Sequence, residues 1–168
     1  VVMADKDKVE MEEEIQAMVG PTGRTRIVCR RGSPISLNEL EIVNPRTSRS
    51  IIVLSPDEGD ADSSVIKTVL AITNSPNRRR DPYHIVAEMR DPSNLEVAKM
   101  VGRDEVELIL VGDLISRIIA QTCRQSGLSI VYTELLDFSG DEIYFQHEPS
   151  LVGKTFRDEI FPEYKGTR

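Results

Sequence analysis

The 168-residue chain has no tryptophan, and aromatic residues of all kinds make up only 5% of it. Its charge is acidic, with 28 Asp and Glu against 21 Lys and Arg for a net of -7. A nucleic-acid binder needs a basic stripe, commonly interleaved with aromatic side chains for stacking; neither is present, which excludes nucleic acid as a partner. No apolar run approaches the roughly 20 residues that cross a bilayer. The opening Val-Val-Met-Ala-Asp-Lys is neither a secretory leader nor an amphipathic anchor, so a water-soluble domain is expected. Cys29 and Cys123 have no Cys-x-x-Cys spacing. Both are expected as buried thiols, implying a reducing, cytosol-like compartment. His84 and His147 lack zinc-ligand spacing. No Tyr-x-x-x-Lys, Ser-His-Asp or Cys-His arrangement supplies an acid, base or nucleophile, so a non-enzyme is expected.

What is present is a regular alternation of apolar runs and amphipathic stretches. Ile51 to Leu54 is an unbroken aliphatic run, the pattern of an interior parallel strand covered on both faces. It enters a turn carrying Asp57, Glu58, Asp60 and Asp62 around Gly59. Val65, Ile66, Val69 and Leu70 then repeat as one face of a helix. In open α/β sheets ligands bind beyond the carboxyl ends of the strands, and this acidic turn lies there.

The same unit recurs along the chain. Val1 to Ala4 reads as a strand followed by a helix over 7–20, and Thr25 to Cys29 as the next strand, ending in the turn Arg30-Arg31-Gly32-Ser33-Pro34. Ser36 is placed to cap a short helix with Leu40 and Val43 inward. Residues 75–82, with three consecutive arginines, read as a solvated surface loop. His84 to Met89 and Glu107 to Val111 are further strands. Each is followed by a helix, one burying Leu95, Ala98 and Val101, the other carrying Leu114, Ile115, Ile118, Ile119 and Cys123 on one face. This alternation predicts an α/β, doubly wound parallel sheet. The expected divisions are 1–127 for that lobe, 128–148 for a crossover helix and edge strand, and 149–168 for a linker or the start of another lobe.

Four blocks carry a resemblance: Val-Val-Met-Ala-Asp-Lys-Asp-Lys-Val-Glu-Met-Glu-Glu-Glu-Ile, Ile-Val-Cys-Arg-Arg-Gly-Ser-Pro, Ile-Ile-Val-Leu-Ser-Pro-Asp-Glu and His-Ile-Val-Ala-Glu-Met-Arg-Asp. In this order they resemble the cytosolic regulatory domain of Castor and Pollux-type ion channels, within the wider class of RCK (regulator of K+ conductance) domains. Leu-Val-Gly-Lys-Thr-Phe at 151–156 looks like the opening of the smaller C-terminal RCK lobe. The resemblance implies a Rossmann-like cytoplasmic lobe, joined in the full protein to a transmembrane cation pore. It also implies homo-oligomers, dimers assembled into a ring, whose shape changes when a nucleotide (NAD or an adenine nucleotide) or Ca2+ binds. Family members begin with a strand and a glycine-rich turn that cradles a pyrophosphate. This chain starts at what would be the second strand, so a full dinucleotide site is not expected. A fragment is expected, with the gap filled by another segment, by a neighbouring molecule, or by direct pairing of the flanking strands.

By the same resemblance Asp5, closing the first strand, stands where an acid accepts hydrogen bonds from a ribose. Asp57, Asp60 and Asp62 are candidate oxygen ligands for Ca2+. Glu88, closing the adjacent strand, is the best candidate for a ligand shared with that crevice. Ser33 and Ser55 are candidate hydroxyl contacts at strand ends. The apolar face from Leu114 to Cys123 is expected to leave its own domain for a swapped dimer contact. The rival functions are a nicotinamide-dependent Rossmann oxidoreductase and a ligand-free oligomerisation scaffold.

Overall fold

The computed structural model describes residues 1–57, 59–137 and 146–155. Glu58, the expected edge strand at 142–146 apart from Gln146, and the anchors Phe156 and Ile160 lie outside the described residues. Two compact units divide the chain, Val1–Ile119 and Ala120–Arg168.

The first unit is α/β with parallel strands, a Rossmann-like arrangement in two sheets. Strands β1 (Val2–Ala4) and β2 (Cys29–Arg31) pair in parallel, with Val2 opposite Cys29. Strands β3 (Ile51–Val53), β4 (Ile85–Met89) and β5 (Val106–Leu110) form a second parallel sheet in that order. Helices α1 (Lys8–Val19), α2 (Leu37–Val43), α3 (Ala61–Thr73) and α4 (Leu95–Gly102) make the connections. Local chemistry sets their starts: Asp7 accepts from the N–H groups of Val9 and Glu10, and Asp60 from that of Ser63. Each carboxylate satisfies first-turn donors that the helix cannot.

The strand expected at Thr25 to Cys29 lies further along, at Cys29–Arg31. Thr22 and Thr25 close a turn on each other, with Thr25 N–H donating to the Thr22 carbonyl and Thr22 Oγ1 to the Thr25 carbonyl. That removes Thr25 from any ladder, and pairing begins where Val2 N–H reaches the Val28 carbonyl.

Burial in the second sheet alternates. Ile85, Ala87 and Met89 of β4 are fully enclosed, and Val53, Val106, Leu108 and Leu110 point to the same core. Against them lie Val65, Val69 and Ile72 of α3 and Ala98 of α4. Their i, i+4, i+7 spacing on α3 leaves Leu70 outside the stripe, half-exposed. The expectation that Ile51 to Leu54 is covered on both faces is corrected. Among the described residues β3 is an edge strand, with Ile52 71% and the following Leu54 72% exposed. An aliphatic run reports β-propensity but not what lies on its second face. Direct pairing of β1 with β3 across the expected gap does not occur.

The arginine loop is also not simply solvated. Arg78 Nη2 donates to both Glu105 oxygens, at 2.8 and 3.1 Å, and Glu105 Oε2 takes the Tyr83 N–H at 2.8 Å. Tyr83, buried, has the Arg78 and Arg79 guanidiniums 5.5 and 4.6 Å from its ring centre. Arg80 is exposed.

Helix α5 (Val111–Arg124) begins directly after β5 and buries none of its residues. Leu114, Ile115, Ile119 and Cys123 are exposed, which corrects the buried-thiol expectation for Cys123; Cys29 is buried as expected. The second unit holds α6 (Leu128–Leu136), preceded by Gly127 at φ 90°, a left-handed conformation that glycine adopts without a Cβ clash. No helix among the described residues is long and apolar enough to cross a membrane.

Candidate functional site

The carboxyl ends of β3 and β4 lie side by side because the two strands pair with Ile51 opposite Ile85 and Val53 opposite Ala87. One step beyond, Ser55 donates its backbone N–H to Glu88 Oε2 at 3.0 Å. Arg90 Nε donates to Ser55 Oγ at 2.9 Å. The same guanidinium lies 3.5 Å from Asp57 Oδ1 and 4.0 Å from Glu88 Oε1. The Glu88 side chain is 23% exposed, while Asp57 stands fully in solvent. Ser55, Asp57 and Glu88 are thus brought together as expected from their strand-end positions. Arg90, not singled out beforehand, is the residue that links them. Its signal was its place two residues beyond Glu88, on the same strand end.

The other acids of the turn point elsewhere. Asp60 is the cap of α3. Asp62 is only 3% exposed and accepts from Arg90 N–H at 2.8 Å, Asp91 N–H at 2.9 Å and Asn94 Nδ2 at 2.9 Å. Burial would raise its pKa, but the bonds from Asn94, Arg90 and Asp91 outweigh it and hold the carboxyl below the ordinary aspartate value. Its oxygens bind the turn after β4 rather than facing a ligand. Among the described residues no three His, Cys, Asp or Glu side chains converge to hold a metal ion.

Asp5 and Ser33 belong to the other sheet. Asp5 follows β1 and lies 3.7 Å from Arg31 in an exposed ion pair. Ser33 follows β2 and gives its N–H to Glu39 Oε2 at 2.6 Å. At the strand-end group the Asp57 side chain is fully exposed and that of Arg90 45% exposed. A cavity of about 330 Å3 lies instead between α2 and the end of α3, floored by Leu40, Ile72 and Tyr83. Another of about 430 Å3 lies between α1 and the segment leading to β2.

Proteins similar in sequence to this chain include plant ion channels. Residues 112–165 match the family described as Castor and Pollux, part of voltage-gated ion channel. The chain is 40% identical over 168 residues to the probable ion channel CASTOR of Oryza sativa subsp. japonica, covering 97% of this chain and 18% of that protein. This stretch is homologous to the Castor and Pollux channels. The ion channel CASTOR of Lotus japonicus is 39% identical over 162 residues, 95% of this chain and 19% of that protein. The ion channel POLLUX of Lotus japonicus is 35% identical over 167 residues, 97% of this chain and 18% of that protein. The Castor/Pollux homology thus runs through both sheets and the strand-end group, while the chain spans less than a fifth of the length of these curated relatives.

Proposed function

We propose that this chain is a cytoplasmic regulatory domain of a cation channel, reading a soluble ligand at the ends of β3 and β4 and passing its binding to a pore in the same polypeptide. The supporting observation is the convergence of Ser55, Asp57, Glu88 and Arg90 at adjacent parallel strand ends, the position where such sheets take ligands. The homology supplies the channel context.

Two ligand classes are in contention, and the donor set separates them. Ca2+ takes about six to eight oxygens. Here two carboxylates and one hydroxyl share their space with a guanidinium, and Asp62 is engaged elsewhere. That set fits a bare cation poorly. A nucleotide carries phosphate, which Arg90 matches in charge and fork geometry, and ribose hydroxyls, which the Glu88 carboxylate can accept. A nucleotide is therefore the reading the geometry favours. Helix α5 supports homodimerisation: Leu114, Ile115 and Ile119 form an exposed apolar stripe at helical spacing.

Calorimetric titration with adenine nucleotides, NAD and Ca2+ tests the sensing role. Heat with a nucleotide, weakened about tenfold or more by Glu88→Gln or Arg90→Gln, is the expected result. Heat with Ca2+ alone would select the cation reading, and turnover of a reduced nicotinamide the oxidoreductase. No heat with any of them would leave a scaffold. Light scattering tests the dimer: Ile115→Asp should convert it to monomer.

A further inference from the structure

The turn leaving β2 reads Arg30-Arg31-Gly32-Ser33-Pro34, and the sensing role makes no use of its paired arginines. Two arginines, one spacer and a serine form the pattern read by basophilic protein kinases. Kinase carboxylates take the two guanidiniums and thereby set the serine hydroxyl at the γ-phosphate of ATP. Arg30 and Arg31 are exposed, Gly32 between them and the acceptor is buried and Ser33 is half-buried, and β2 has β1 as its one neighbour among the described residues. The segment is therefore already extended and carries a free edge, the shape in which peptides are bound by strand-accepting clefts. Arg30 Nη1 donates to the Cys29 carbonyl at 3.0 Å, and among the described residues the Arg31 side chain has the exposed pair with Asp5 at 3.7 Å, a contact worth little in water. The Ser33 hydroxyl makes no hydrogen bond among the described residues, whereas its N–H is tied to Glu39 Oε2 at 2.6 Å.

That N–H contact decides what modification would do. Ser36, the residue capping α2, makes no side-chain cap bond. The Glu39 carboxylate is thus the side chain that fastens the first turn of α2 to the β2 turn, beside the backbone bond from Ser36 N–H to the Ser33 carbonyl at 3.1 Å, and the next residue, Leu40, is buried in the core. Gly32 brings the turn close to both neighbours: a Cβ there would meet the side-chain ends Met3 Cε at 2.6 Å and Glu39 Oε2 at 3.0 Å.

We propose that Ser33 is a phosphorylation site for an Arg-Arg-x-Ser-directed kinase, and that the phosphoryl group releases α2 by displacing the Glu39 carboxylate from Ser33. In the transfer, Ser33 Oγ bonds to the γ-phosphorus of ATP and the bond from that phosphorus to the β,γ-bridging oxygen breaks. ADP leaves, and the hydroxyl proton passes to the kinase's carboxylate base. The product carries a charge of about -1.5 to -2 on the residue whose N–H Glu39 holds. Like-charge repulsion opposes that contact, and Arg30 and Arg31 offer the phosphate new partners.

Incubation of the chain with ATP and the catalytic subunit of a cyclic-nucleotide-dependent kinase, followed by fragmentation mass spectrometry, tests the site. One phosphoryl group on Ser33 is expected, absent in Ser33→Ala and formed at least about tenfold more slowly in Arg30→Ala or Arg31→Ala, each of which removes a charge-assisted contact. Failure to modify Ser33, or rates indifferent to both arginines, overturns the assignment. Hydrogen exchange over 37–43 tests the consequence. The phosphorylated protein should exchange about tenfold faster there than the unmodified one. In Glu39→Gln, which has no charge to repel, the same modification should leave exchange unchanged. Phosphorylation of Ser33 without faster exchange in α2 overturns the release of the helix while leaving the site standing.

Discussion

Asp62, in the first turn of α3, accepts the backbone N–H of Arg90 at 2.8 Å across 28 residues of sequence. With Asp91 N–H and Asn94 Nδ2 on its other oxygen, it fastens the loop that presents Arg90 to the helix that follows Ser55 and Asp57. Asp62→Asn would turn one acceptor into a donor facing other donors. A loss of about 3 kcal/mol is expected, read as a lower urea midpoint at unchanged m-value. A loss below about 1 kcal/mol would show that these bonds do not hold the turn.

Stability should fall in acid through two carboxyls. Burial opposes ionisation of both Asp62 and Glu105. Hydrogen bonds from Asn94, Arg90 and Asp91 on the first, and from Tyr83 and Arg78 on the second, more than offset it and hold both pKa values low. In the unfolded chain these groups protonate near about pH 4, while the folded forms stay charged, so the unfolded state binds more protons. The stabilisation is therefore complete above about pH 4 and is lost as pH drops through the lower folded values. Denaturant melts across that range should show the slope, and Glu105→Gln should reduce it.

At the opposite end of the sheet, Glu105 joins Arg78 and the Tyr83 backbone. Arg78→Ala leaves a partly buried carboxylate short of its partner and should cost about 2 kcal/mol. Tyr83→Phe should cost less than about 0.5 kcal/mol, because the hydroxyl receives only a long bond from Arg79 N–H at 3.4 Å. Tyr83→Ala should cost about 3 kcal/mol or more through the vacated core. Comparing the two tyrosine variants by thermal unfolding separates the ring from its hydroxyl.

Gly102 closes α4 where β5 begins. A Cβ there would stand 2.6 Å from both Cβ and Cγ2 of Val106, a branched side chain with little rotamer freedom. Gly102→Ala should therefore destabilise the protein by about 1 to 3 kcal/mol. Pairing it with Val106→Ala should recover part of the loss, a coupling that a double-mutant cycle measures.

The order of strands and helices and the inward residues Leu40, Val65, Val69 and Ala98 were readable from the chain alone. They follow from periodicity, which is written within a few residues. So was the placing of Ser55, Asp57 and Glu88 at strand ends. Tertiary structure decided which of these acids faces solvent and which is consumed internally. Asp60 and Asp62 are two residues apart, yet one caps its own helix and the other is enclosed by donors from Arg90, Asp91 and Asn94. The partners of Asp62 arrive through strand pairing, which no local spacing records. The exposure of Ile52, Leu54 and Cys123 has the same origin: hydrophobicity states what a side chain would gain by burial, and only the packed chain determines whether another surface covers it.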